Sequence, residues 1–259
     1  MSRTFLAVVG LLYVFILAPL VVVVVVSFNA GEVADFPPSG WSLRWYAHAL
    51  GLKLFVNAIF TSFWLALAAA VLSMPLGLIA SIGIARGKFP GRDALQSFFL
   101  APLVTPGIVV GIALLVSYAA VGLRDAPVRL LLAHVLITFP FSVRTILASL
   151  SRLDPALEEA AATLGASPVK VFWRVTFPLI KPGIAAGAIF SFVMSFDNIP
   201  VSIFLTDVRT NTIPIAIMSY LEYNFDPSIA AVSSMLIIGS LTLALLLERI
   251  FGLRRVMGM

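Results

Sequence analysis

The chain has 259 residues, 61% of them hydrophobic and 11% charged, with a mean hydropathy of +1.08, which excludes an ordinary soluble domain and makes it an integral membrane protein. A net charge of +5 does not point to nucleic acid, because the basic residues stand in short clusters between apolar runs, as topology signals do. Cysteine is absent, which removes disulfides and thiolate metal sites.

Crossing about 30 Å of hydrocarbon takes roughly 20 apolar residues per helix. In chain order the qualifying or nearly qualifying runs are Phe5 to Ser27, Asn57 to Ala85, Phe98 to Val121, Val128 to Leu150, Ile184 to Leu205 and Ile229 to Leu247. None alternates in character as a spanning strand does, so the expected fold is all-α, with six transmembrane helices in a single membrane domain over residues 1–259. The first run follows Arg3 with no small-residue cleavage site before Val21 to Val26, and reads as an uncleaved span. With both termini in the cytoplasm, that side holds Arg3, Arg86, Lys88, Arg92, Arg144, Arg152, Lys170, Arg174, Lys181, Arg249, Arg254 and Arg255. The opposite side holds Arg44, Lys53, Arg124, Arg129 and Arg209. This positive-inside bias places a loop at about 152–182, between the fourth and fifth helices, in the cytoplasm.

Pro19, Pro75, Pro102, Pro106, Pro140 and Pro200 interrupt the spans. Each is compatible with an ordinary packing kink, and together they describe a bundle that bends where neighbours or a wet cavity satisfy the freed backbone groups. In the outer segment Phe28 to Val56, Pro37, Pro38 and Gly40 form a turn, and Ser42 is expected to cap a short helix carrying Trp45 and Tyr46. Those aromatics suit either an interfacial belt or a partner-docking surface. In the second outer segment, Thr206 to Ser228, Ile213, Ile217 and Tyr220 fall at helical spacing and predict a short helix at the outer mouth.

The longest break from apolar character runs from Glu158 to Gly183. Asp154 followed by Pro155 starts a helix, with Glu158 and Glu159 near the positive end of its dipole. Gly165 stops it as a C′ glycine does, and Ser167 with Pro168 begins another, expected to end near Pro178, with Lys181, Pro182 and Gly183 separating it from the fifth span. Two helices this short are marginal in water and need a surface. Their apolar residues Val171, Phe172 and Trp173 suit either the underside of the bundle or a groove on a separate protein.

Glu159-Ala160-Ala161, three residues, Gly165, nine residues and then Val175-Thr176-Phe177-Pro178 resemble the EAA loop of permease subunits in binding-protein-dependent ABC importers. Val175 and Phe177 replace that pattern's Ile and Leu, apolar for apolar. The resemblance implies a coupling helix that docks in a cleft of an ATP-hydrolysing subunit, with Ala160 and Ala161 permitting close approach, Gly165 the turn, Glu159 a charge contact and Pro178 the motif's end. It also implies a second permease subunit, two ATP-binding subunits, an outer solute-binding protein and an inner-membrane location. The chain lacks G-x-x-x-x-G-K-[ST], so ATP and magnesium are expected on the partner and no cofactor on this chain. S-F-N near residue 28, W-S-L-R-W-Y and S-F-D-N at Ser195 to Asn198 look most like the polyamine permease subunits.

A carboxylate in mid-span is costly, which makes Asp197 the leading candidate for a translocation path taking a cationic amine. Asn198 and Ser195 would add hydrogen bonds, Phe196 a wall, and Pro200 a local opening. The competing reading is that Asp197 caps a broken helix or pairs with a neighbouring subunit. Glu222, Tyr220 and Tyr223 form a second acidic and aromatic set able to hold an amine, or else belong to the interfacial belt. His134 reads as a hydrogen-bonded core histidine and Arg144 as a snorkelling arginine. A self-sufficient secondary transporter or channel working as a homodimer is the alternative class, although inverted repeats with matching broken helices are not apparent. Catalytic motifs of intramembrane enzymes and metal-ligating clusters are not found.

Overall fold

The computed structural model describes residues 3–251; Arg254 and Arg255, two of the charges behind the expected orientation, lie outside them. Among the described residues the chain is helical, and extended pairing is limited to the isolated bridge between Asn29 and Trp41. The helices are α1 (Arg3–Val26), α2 (Arg44–Gly51), α3 (Lys53–Arg86), α4 (Arg92–Val104), α5 (Gly107–Ala120), α6 (Ala126–Ser151), α7 (Pro155–Thr163) and α8 (Pro168–Val171). A π-helical turn, Phe172–Thr176, leads into α9 (Phe177–Phe196), followed by α10 (Ser202–Leu205), α11 (Ile213–Leu221) and α12 (Ser228–Phe251).

Among the described residues, four stretches are long and apolar enough to cross a bilayer: Thr4–Val26, Lys53–Arg86, Ala126–Ser151 and Pro168–Phe196. The expected third span, Phe98 to Val121, is not one rod. It is divided into α4 and α5, which meet at 103° around Thr105 and Pro106 and count together as at most a fifth span. The cause is local: Pro106 carries no N–H, and proline drives the residue before it, Thr105, into extended backbone at φ −82°, ψ 131°. The fifth run also ends early, since α9 stops at Phe196 and residues up to Leu205 form a break and the separate α10.

Two compact units are distinguished. One holds the residues up to Ala58 together with Ala216–Leu247. Its irregular segment is organised by the fully buried Asn29, whose Oδ1 accepts from the Gly31 N–H at 3.0 Å, the Ser39 N–H at 3.1 Å and the Ser39 hydroxyl at 3.0 Å, while its Nδ2 donates to the Val33 carbonyl at 2.8 Å. Trp45 Nε1 donates to the Gly31 carbonyl at 3.0 Å, and the Arg44 guanidinium lies 4.5 Å over the Trp45 ring. The Ser42 hydroxyl takes the Arg44 N–H at 3.1 Å, but the residue at the N-cap of α2 is Leu43, one position later than expected. The Tyr46 hydroxyl is hydrogen-bonded with the Ser27 hydroxyl at 2.7 Å and donates to Ser234 of α12 at 3.1 Å.

The other unit, Ile59–Ile215, holds most of the remaining helices. Among its described residues, two apolar clusters fill it. One joins Leu65, Leu130, Ala133, Val201 and Leu205, the other Ile146, Leu150, Leu153 and Ile180. Between α3, α6 and α9 small polar residues add hydrogen bonds to the apolar contacts. The Ser142 hydroxyl donates to Ser73 at 3.2 Å and shares a bond with Ser191 at 3.3 Å, and Ser81 donates to the Val143 carbonyl at 3.1 Å. In lipid, apolar side chains gain little by leaving other hydrocarbon, so close backbone approach and interhelical hydrogen bonds carry the association.

Gly77 measures how close that approach is: a Cβ placed there would stand 2.5 Å from Ser142 Cβ and 3.1 Å from its carbonyl carbon. Gly77→Val is therefore expected to cost about 1–3 kcal/mol, the usual cost of overpacking, and to lower the unfolding temperature in detergent. Gly83→Ala on the same helix, where nothing lies within 4 Å of the added carbon, is expected to leave it nearly unchanged.

Candidate functional site

The elbow between α6 and α9 is built by local chemistry that the sequence announces. Asp154 caps α7 by accepting the Ala156 N–H at 3.0 Å, and Pro155 occupies the first turn, where its missing N–H costs nothing. At the other end the Gly165 N–H bonds the Ala162 carbonyl at 2.9 Å and the Ala166 N–H reaches back to the Ala161 carbonyl at 3.1 Å. This pair of bonds is a Schellman motif, and it requires the left-handed backbone that Gly165 adopts at φ 82°. Ser167 stands at the N-cap of α8 with extended backbone, its hydroxyl making no cap bond.

Beyond α8 the structure departs from expectation. The helix does not end near Pro178. It continues through the π turn into α9, making Pro168–Phe196 one stretch of 29 residues. The π turn widens the spiral so that the Phe177 N–H bonds the Phe172 carbonyl, five residues back. Inside this continuous stretch Pro178 removes one backbone donor right after the π turn, where regular α-helical bonding is already interrupted, and Pro182 removes one more.

Glu158 ties the elbow together. Its Oε2 is 2.8 Å from an Arg86 terminal nitrogen at the end of α3, and its Oε1 accepts the Thr176 hydroxyl of the π turn at 2.6 Å. Among the described residues this is the one ion pair within 4 Å. The motif residues Glu159 and Ala160 are exposed, and Ala161 is half-buried. A cleft of about 280 Å³ opens beside them, lined by Ala161, Leu164, Gly165, Ala166, Lys170, Val171, Arg174 and Val175. Leu164 is 89% exposed and Trp173 57%, so the elbow offers apolar side chains outward, with Trp173 edge-to-face with Phe172 at 5.1 Å and tilted against Phe177 at 5.0 Å between ring centres.

At the far end of α9 lies a second site. Asp197 is not at mid-helix, and its side chain is not buried within the chain: it is the exposed C-cap of α9, at φ −101°, ψ 18°. Asn198 Oδ1 accepts the Val201 N–H at 3.0 Å and starts the next turn. Across this break lies the fully buried His134 of α6, whose Nδ1 is 2.7 Å from the Ser195 hydroxyl before it and whose Nε2 is 3.0 Å from the Ser202 hydroxyl after it. Ser195 is thus bound to the core, while Phe196 stacks on Phe192 at 5.7 Å. Helix α5 closes over the break through glycines: a Cβ at Gly107 would meet Pro200 Cβ at 2.8 Å, and one at Gly111 would meet the Pro200 carbonyl oxygen at 2.9 Å.

Residues 73–255 match a family model described as the binding-protein-dependent transport system inner membrane component. The chain belongs to that family. It is accordingly a multi-pass inner-membrane permease component of an ABC importer and not an enzyme. As a member of this binding-protein-dependent transport family it is 31% identical over 252 residues to the spermidine/putrescine transport system permease protein PotC of Haemophilus influenzae, covering 96% of this chain and 98% of that one. It is 31% identical over 232 residues to the putrescine transport system permease protein PotI of Escherichia coli K12, covering 87% and 82%. A chain from a bacterial alginate ABC transporter, crystallised with an alginate pentasaccharide-bound periplasmic protein, shares the fold at a TM-score of 0.70 and 16% identity over 97% of this chain and 92% of that one.

The weaker acidic and aromatic set of this permease component is arranged differently from expectation. Tyr220 donates to Asp226 Oδ2 at 2.7 Å and packs 5.0 Å from the Phe55 ring, whereas Glu222 and Tyr223 are exposed. Asp226, which nothing in the sequence singles out, also accepts the Ser228 N–H at 2.8 Å. Burial first, and then the Asp226 carboxylate, push the Tyr220 hydroxyl up to about 12. Burial also opposes ionisation of Asp226, but the Tyr220 and Ser228 hydroxyls, the Ser228 N–H and the nearby His48 outweigh it and hold that carboxyl below its ordinary range.

The two titrations have opposite signs. Tyr220 has a raised pKa when folded, so its contribution is complete below about 10 and is lost as pH rises through about 12; Asp226 has a depressed one, so its contribution is present above about 3.8 and is lost on acidification through its lowered value. Absorbance titration should show a tyrosine ionising near 12, and Asp226→Asn should move it down only part of the way, because burial remains. At the break, His134→Ala strands two buried serine hydroxyls and is expected to cost about 1–3 kcal/mol, read as a lower unfolding temperature in detergent.

Proposed function

We propose that this chain is the permease subunit of an ATP-driven importer for a small cationic amine, paired with a second, different permease, two ATP-hydrolysing subunits and a solute-binding protein. The single observation that supports this most is the 31% identity to PotC over 96% of this chain and 98% of that relative. In this reading residues 1–259 are one permease domain of six spans, α4 with α5 and α12 supplying the third and sixth, and both termini and the elbow face the cytoplasm. ATP and magnesium are held by the partner.

The elbow is the docking element: Glu159 offers a free charge, Ala160 and Ala161 a shallow surface, Gly165 the turn and Pro178 the start of the rod that carries displacement into the span. Closure of two ATPase subunits would draw such elbows together, and a continuous helix transmits that motion. The break is the path element. Asp197 lies at the C-terminal end of a 20-residue helix, where the dipole is negative, and an exposed carboxylate there attracts a protonated amine. Asn198 and Phe196 shape the opening, and Ser195 acts through His134. Tyr220, Tyr223 and Glu222 are a lesser amine-facing set, with Asp226 as the carboxylate nearest Tyr220.

The test is reconstitution with an ATPase, a second permease and a solute-binding protein that co-purify with the chain, using putrescine. ATP-dependent uptake is expected, and Gly165→Pro or Glu159→Lys should abolish it while the chain still inserts. Asp197→Asn should reduce putrescine uptake about tenfold, equivalent to ~1.4 kcal/mol, with assembly intact. Uptake by the chain alone without nucleotide would instead favour a self-sufficient transporter.

A further inference from the structure

The family motif singles out Glu159, but the structure ties the neighbouring carboxylate into the chain. Glu158 is reached by two elements distant in sequence: Arg86, the last residue of α3, at 2.8 Å, and Thr176, the last residue of the π turn, at 2.6 Å. The two bonds use different oxygens, so both can be held at once. Thr176 is 6% exposed, and the Glu158 side chain 21% exposed against 36% for Arg86, so the carboxylate is the more shielded member of its pair.

The π turn is part of this arrangement. One extra residue in a helical turn rotates the remainder of the helix by about 100°, the angle per residue of an α-helix. It occurs immediately before α9, and its last residue, Thr176, is the one whose hydroxyl meets Glu158. A cleft of about 550 Å³ lies against the same atoms, lined by Ile82, Arg86, Leu150, Glu158, Phe172 and Thr176 among others. The elbow therefore stands off the bundle there, and Glu158 bridges the gap.

We propose that Glu158 is a positioning residue that locks α7 to both α3 and α9, so that displacement of the elbow is delivered to two spans together. The proposal rests on the reading of the elbow as the element an ATPase grips. Without the lock, α7 is joined to the spans by its chain connections alone, to α6 through residues 152–154 and to α9 through Gly165 and α8, and its motion reaches α3 only through general packing. With it, α3 and α9 move as one body. Glu159 is then the outward, partner-facing charge and Glu158 the inward, force-distributing one.

The absence of native cysteine allows spin labels at two chosen sites without background. Gly83→Cys on α3, where nothing crowds an added carbon, and Thr163→Cys at the exposed end of α7 form the pair. Their separation is measured by pulsed electron resonance in the assembled importer, with and without MgATP plus vanadate. The expected result is a single narrow distribution that nucleotide leaves unchanged. In Glu158→Gln the distribution should match it without nucleotide and then shift or broaden at least twofold when MgATP and vanadate are added. Arg86→Glu combined with Glu158→Arg should restore the narrow distribution.

A Glu158→Gln distribution that nucleotide does not alter overturns the lock. Broadening already present without nucleotide also overturns it, because the pair then holds only the resting fold. Failure of the charge-swapped pair to restore the distribution does the same. Failure of the underlying reading is separately visible: the wild-type chain would not retain an ATPase subunit through purification, whatever the labels report.

Discussion

Backbone groups inside a bilayer have only protein to bond with, and this constraint decides how the chain is put together. The stretch Pro168–Phe196 satisfies it with one unbroken rod of 29 residues, about 43 Å long at 1.5 Å per residue, which exceeds a hydrocarbon core of about 30 Å. The excess carries the rod out of the membrane and into the elbow. Where the rod stops, at Phe196, the exposed polar backbone is met at once by other groups: Asn198 takes the Val201 N–H, and His134 pins the serines on either side. The elbow and the break, the two places with unusual chemistry, are thus the two ends of one helix.

The break needs support because its irregular backbone lies beside spans that have no water to offer. α5 supplies part of it by bringing Gly107 and Gly111 against Pro200, an approach that any side chain there would obstruct. His134 supplies the rest from α6, and the Leu65, Leu130, Ala133, Val201 and Leu205 cluster packs around the same region. The 103° bend between α4 and α5 is what frees α5 to lie there. A proline that looks like a defect in a span is, in the fold, the origin of the element that covers another span's end.

Much of this was legible in the sequence, but unevenly. Local rules were enough for α7, since Asp154, Pro155 and Gly165 act within a few residues of themselves and the Schellman bonds come with the glycine. Apolar runs located the spans for the same reason. The continuity of α8 with α9 was not legible: Pro178, Pro182 and Gly183 each argue for a stop, and a π turn has no composition of its own. His134 read correctly as a bonded core residue, yet its partners stand 61 and 68 positions away, and nothing in the sequence pairs them. Asp197 read as a mid-span charge because an apolar run conceals where a helix ends inside it. Glu158 was visible only as a dipole-favourable residue, since Arg86 lies on another element and the family pattern draws attention to Glu159.

The central claim is that one rigid helix joins the elbow to the break. Lys170→Cys and Met194→Cys, at its two ends, allow that to be measured directly by pulsed electron resonance in lipid nanodiscs. A continuous helix predicts one narrow distribution centred about 36 Å between the backbone positions, unchanged by MgATP and vanadate in the assembled importer. A shorter or bimodal separation, or one that changes with nucleotide, would mean that the chain folds or flexes near Pro178 to Gly183 and would contradict it.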